Sequence, residues 1–169
     1  GAIFAAPNSV VDIEGLPTGG FFQENQANRA GGAIEMSAGG TLTVANSDLG
    51  NNVANGLPGN GGAIHLTGDA SLTITDSNVA ANTAALEGGG LWNGTGTMTV
   101  TNTTVNANDA QGGAAADDGG GGIFNNGGDL IINGTSTVNG NTASGALGSG
   151  GGILTLGGTL SIDNITISG

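Results

Sequence analysis

No cysteine, lysine or tyrosine occurs among the 169 residues, and arginine and histidine occur once each, as Arg29 and His65. The missing cysteines exclude disulfides, thiol catalysis and thiolate metal sites, and they leave the redox compartment open. Thirteen acids against one cation give a net charge of −12. Nucleic acid, anionic membrane surfaces and polyanionic sugars are therefore repelled. Apolar runs extend only a few residues, too short for a membrane-spanning helix. A Ser-His-Asp triad has only His65 to draw on, and this residue sits one position beyond an inward Ile, where a surface imidazole is expected.

What is abundant is glycine, with 37 residues, and the chain repeats itself. A Gly/Ala-Gly/Ala-Ile/Leu element places its large residue at Ile3, Ile34, Ile64, Leu91, Ile123 and Ile153, at spacings of 31, 30, 27, 32 and 30. A large-polar-large element follows each of the last five, at Leu42/Val44, Leu72/Ile74, Met98/Val100, Leu130/Ile132 and Leu160/Ile162. A third element reads apolar-x-x-Asn-x-Ala: Phe22-Asn25-Ala27, Leu49-Asn52-Ala54, Val79-Asn82-Ala84, Val105-Asn108-Ala110 and Val138-Asn141-Ala143. Short apolar pieces bounded by Gly, Asn, Asp and Ser are strand chemistry with turns between, and no helical period is present. Asn46, Asp76, Asn102 and Asn164 recur between the second and third elements, where an Asx residue tolerates left-handed geometry and turns a corner.

Strands this short cannot pair within their own repeat, so each must bond to its counterpart one repeat away, about 4.8 Å along an axis. The expected fold is all-β: a parallel β-helix or β-solenoid, one domain over 1–169. It has about six coils of roughly 30 residues, three short strands per coil and a stack roughly 29 Å tall. Stacking sets like over like and makes a structural ladder of Asn25, Asn52, Asn82, Asn108 and Asn141.

Gly31-Gly32-Ala33-Ile34, Gly61-Gly62-Ala63-Ile64 and Phe22-Gln23-Glu24-Asn25 resemble the GGA-[ILV] and F-x-x-N repeats of polymorphic outer-membrane proteins and related right-handed β-helix repeat proteins of bacterial surfaces. The resemblance covers nearly the whole chain. It implies a right-handed coil and an extracellular or cell-surface location.

The residue after each inward Ile or Leu points out, giving the row Phe4, Glu35, His65, Trp92, Phe124 and Leu154. Phe4, Trp92, Phe124 and Leu154 are the expected interface, as an apolar stripe on the surface. A loop of the same molecule folded over the row is the alternative. A second outward row, Thr41/Thr43, Ser71/Thr73, Thr97/Thr99, Asp129/Ile131 and Thr159/Ser161, resembles the Thr-x-Thr arrays of ice-binding solenoids. Asp117 and Asp118 are a weak candidate for calcium; otherwise no cofactor, metal or enzymatic activity is expected. Both ends read as uncapped interior coils, which suggests head-to-tail self-association or a longer parent solenoid. The expected function is structural, as the building block of an extracellular surface fibre or the stalk of an adhesin. The alternative is a module for neutral polysaccharide, including cell-surface glycans, or a degenerate polysaccharide-active enzyme, with Trp92 and Phe124 stacking on sugar rings. Ice binding is the third reading.

Overall fold

The computed structural model describes residues 1–15, 20–112 and 118–169. Every strand lies parallel to its counterparts one turn before and one turn after, in four sheets stacked along a single axis. The first sheet holds Ile3–Ala5, Ile34–Met36, Ile64–Leu66, Leu91–Asn93, Ile123–Asn125 and Ile153–Thr155. The second holds Val10–Glu14, Thr41–Ala45, Ser71–Thr75, Thr97–Thr101, Asp129–Asn133 and Thr159–Ile162. The third holds Gly20–Gln23, Ser47–Gly50, Asn78–Ala80, Thr104–Asn106, Thr137–Asn139 and Thr166–Ser168. A fourth sheet of two-residue strands joins the three expected, from Gln26–Ala27 to Thr142–Ala143. It carries the Ala of the third repeat element, and pairs Val53 with Thr83 and Ala54 with Ala84. With six, six, six and five strands, the chain makes five full turns and most of a sixth. The fold is an all-β parallel β-solenoid, and no helix occurs among the described residues.

The register follows the repeat. Leu42 lies opposite Leu72 and Val44 opposite Ile74, and Leu49 lies opposite Val79. These columns, with Ile34, Ile64, Leu91 and Ile123, form the dry core. The first turn also has a second-sheet strand, whose Val11 and Ile13 stand opposite Leu42 and Val44. Val11 and Ile13 are themselves only half-buried, because a neighbouring turn covers them on one side alone.

Corner geometry accounts for the small residues. Asn46, Asp76, Asn102 and Asn164 have φ of 49°, 48°, 49° and 54°, the left-handed region that Asx residues tolerate. In the Gly-Gly-Ala element the two glycines have different tasks. Gly61 needs its φ of +67°, whereas a Cβ on Gly62 would lie 2.0 Å from the Gly89 carbonyl oxygen of the next turn. The first glycine therefore turns the chain, and the second lets adjacent turns approach to ladder distance.

Candidate functional site

The interior is crossed by a polar seam. Asn25, Asn52, Asn82, Asn108 and Asn141 stack in one column between the third and fourth sheets. Asn52 donates from both its backbone N–H and its Nδ2 to Asn82 Oδ1, each at 2.9 Å. Asn82 and Asn108 repeat the pair of bonds to Asn108 and Asn141, and Asn25 makes it to Asn52 at 3.1 and 2.9 Å. The second Nδ2 proton goes backward along the axis, from Asn82 to the Leu49 carbonyl and from Asn108 to the Val79 carbonyl, both at 2.9 Å. Each interior amide thus fills two donor and two acceptor positions, which is the condition for burying it without loss. All the amides point the same way, so the seam has a direction.

A second ladder runs beside it and was not foreseen. The Ser47, Ser77 and Thr103 backbone N–H groups donate to the hydroxyls of Ser77, Thr103 and Ser136 at 3.1, 3.3 and 3.1 Å. The hydroxyls of Ser47, Ser77 and Thr103 donate in turn to Ala45, Thr75 and Thr101 carbonyls in their own turns. The sequence signal is an Asx residue followed by Ser or Thr, at Asn46-Ser47, Asp76-Ser77 and Asn102-Thr103. One extra residue before Ser136 hides the fourth member from a fixed-spacing search, since Thr101 pairs with Asn133 but Thr104 with Thr137.

The row taken as a surface stripe is a correction. Phe4, Glu35, His65, Trp92, Phe124 and Leu154 do align in register, and they point away from the dry core. Yet Trp92 is only 8% exposed and Phe124 1%, and Glu35 and His65 are 7% each. Described residues between the fourth strand of one turn and the first strand of the next fold over them. Glu87 from this segment accepts from Trp92 Nε1 at 2.9 Å and from Asn60 Nδ2 at 3.0 Å, and Arg29 pairs with Glu35. Cβ atoms built on Gly61, Gly88 and Gly120 would lie 2.9, 3.0 and 2.9 Å from those of His65, Trp92 and Phe124, so glycine backbone lies directly over the row. The rings stack inside, His65 on Trp92 at 4.4 Å and Trp92 on Phe124 at 5.9 Å. Trp92 and Phe124 are thus neither an exposed interface nor a platform for sugar rings.

Only the row's ends meet solvent. Phe4 is 65% exposed at the mouth of a cleft of about 420 Å³ lined with Ile3, Ala27, Arg29 and Glu35, and Leu154 is half-buried. Burial, with Arg29 nearby as a lesser cause, lowers the His65 pKa from 6.5 to about 4, so the imidazole is neutral at pH 7. Its Nδ1 lies 3.3 Å from Thr67 Oγ1. This is a correction to the surface imidazole expected.

Asp118 is buried, with an interaction of its own, while Asp117 lies outside the described residues. No group of three or more His, Asp or Glu side chains suited to a metal occurs among the described residues. No helix among them is long and apolar enough to cross a membrane.

Fold and interior together define a parallel β-solenoid with axial polar ladders and an aromatic file. Comparison with protein-family models, with curated proteins and with solved structures finds no match.

Proposed function

We propose that the chain is a structural segment of an extracellular rod, extended by stacking coil on coil as the subunit of a surface fibre or the stalk of an adhesin. The observation that carries this reading is the continuity of the axial columns. Core, asparagine and hydroxyl columns keep one register through successive turns, and their side chains are spent on joining turn to turn. At the last turn, Leu160, Ile162 and Ile167 are 41%, 44% and 51% exposed, whereas Leu130, Ile132 and Val138 one turn earlier are fully covered. A following coil, from the same polypeptide or from another copy, would bury them and satisfy the free strand edge.

The proposal includes no catalysis and no cofactor, and its partner is another coil of the same kind. In a head-to-tail junction Leu154 meets Phe4 of the neighbour, so the aromatic file continues across it. The polysaccharide reading has lost its stacking rings to the interior and is not carried further.

Negative-stain electron microscopy and sedimentation velocity over a concentration series test the proposal. Rods that lengthen with concentration are expected, and Ile162→Lys with Ile167→Lys, both at exposed positions, should return the chain to compact monomers. Wild-type chain that stays a compact monomer at every concentration contradicts head-to-tail stacking.

A further inference from the structure

The outward face of the second sheet carries an array of hydroxyls that the rod reading does not use. Thr43, Thr73 and Thr99 stand opposite one another on three successive turns, with Thr41 opposite Ser71 and Thr75 opposite Thr101. All are exposed or half-buried. Although the chain carries thirteen acids, the strands Thr41–Ala45, Ser71–Thr75 and Thr97–Thr101 hold no charged residue. Acids return at Asp12 and Glu14 one turn before and at Asp129 one turn after.

The array is stiff for two reasons. β-Branched Thr has few χ1 choices, and the interior ladders fix the separation of the turns beneath it. In the first column Ser71 leans on Thr41 at 3.5 Å, and in the third Thr101 donates to Asn133 at 2.6 Å. The middle column, Thr43, Thr73 and Thr99, keeps the backbone spacing of about 4.8 Å per turn.

Hydrogen-bonded water has nearly the same spacing. With O–H···O distances of about 2.75 Å, tetrahedral geometry puts second-neighbour oxygens about 4.5 Å apart. Three hydroxyls in a column then stay within about 0.6 Å of that repeat. The face carries no aromatic ring for a sugar and no cation for an anion. What fits is a neutral hydrogen-bonding lattice of matching period.

We propose that this face binds ice, with Thr hydroxyls at lattice positions and Thr methyls excluding mobile water between them. The inference concerns a different surface from the rod contacts and does not depend on them.

The test measures partition of the labelled chain into slowly growing ice and the gap between freezing and melting points. The wild type is compared with Thr73→Tyr at the centre of the array and Thr104→Tyr on the third sheet, after circular dichroism has checked that both variants fold. The wild type should enter the ice and open a gap. Thr73→Tyr should shrink that gap at least about five-fold, as expected for a central contact, and Thr104→Tyr should leave it unchanged. Rejection of the wild type by growing ice overturns the proposal, as does equal behaviour of the two folded variants. Retention on crystalline cellulose without entry into ice overturns it as well.

Discussion

At the scale of the residue, the interior amides carry the most consequence because each is bonded in four directions. Asn82→Ala removes the acceptor of the Asn52 N–H and Nδ2 and the donor to the Leu49 carbonyl. The buried Asn52 N–H is then left without an acceptor, while Asn52 Nδ2, which keeps the Phe22 carbonyl, and the Leu49 carbonyl each lose one bond. At about 1–3 kcal/mol for an unsatisfied buried group, a loss of at least about 2 kcal/mol in denaturant unfolding is expected. Asn82→Asp should fare no better, since it keeps the acceptor but sets a carboxylate against Asn108 Oδ1. Ala81 and Ala107 occupy left-handed backbone at φ 56° and 52°, where Asn51 and Gly140 serve on other turns. Left-handed geometry costs an L-residue about 1–2 kcal/mol, and glycine's extra unfolded-state freedom returns about 0.5–1 of that. Ala81→Gly and Ala107→Gly should each raise the unfolding free energy, by up to about 1.5 kcal/mol. His65 contributes a pH dependence. Its folded pKa of about 4 lies below the ordinary 6.5, so the unfolded chain binds the proton first. Stability is then complete above pH 6.5 and declines as the pH falls toward 4, by about 3 kcal/mol in all. His65→Phe, which keeps the ring stack, should flatten this part of the profile in pH-resolved melting.

At the scale of the element, a turn of about thirty residues is set by where glycine is obligatory. A Cβ on Gly89 would meet the Gly121 carbonyl oxygen at 2.3 Å, and only separation of the turns relieves it. Gly89→Ala should therefore cost about 3 kcal/mol, at the upper end of overpacking. Gly140→Asn meets nothing within 4 Å and adopts a φ that Asn tolerates, so its melting temperature should stay near wild type. The strands and their register were legible in the sequence because period-two alternation and a recurring asparagine mark each turn independently. The corners were legible too, through Asn46, Asp76 and Asn102. The two-residue fourth strand was not, because so short a strand has no periodicity to read. Nor was the covering of Trp92 and Phe124. Alternation says which side of a sheet a residue faces, but not whether a later segment of chain returns over that side. The Gly61, Gly88 and Gly120 positions held that information, as backbone without side chains pressed against the row, and only the structure connects them to it.

At the scale of the whole molecule, the turns share one axis, so the solenoid is quasi-one-dimensional: each turn is held by its neighbours and the outermost turns by one neighbour only. Thirteen acids against one cation keep such bodies apart sideways, and under the rod reading proposed above contact is made end to end. Added salt screens the lateral repulsion within a Debye length of about 8–10 Å. Light scattering should therefore rise with salt or calcium as rods begin to bundle, and stay low in dilute buffer. Hydrogen–deuterium exchange resolved by turn, at low and at high protein concentration, tests most directly whether stability is passed along the axis. In dilute solution the amides of Asn52, Asn82 and Asn108 should exchange slowest and those of the first and last turns fastest. At high concentration the outer turns should slow toward the middle ones. Protection unrelated to position along the axis, with outer turns indifferent to concentration, would contradict the account.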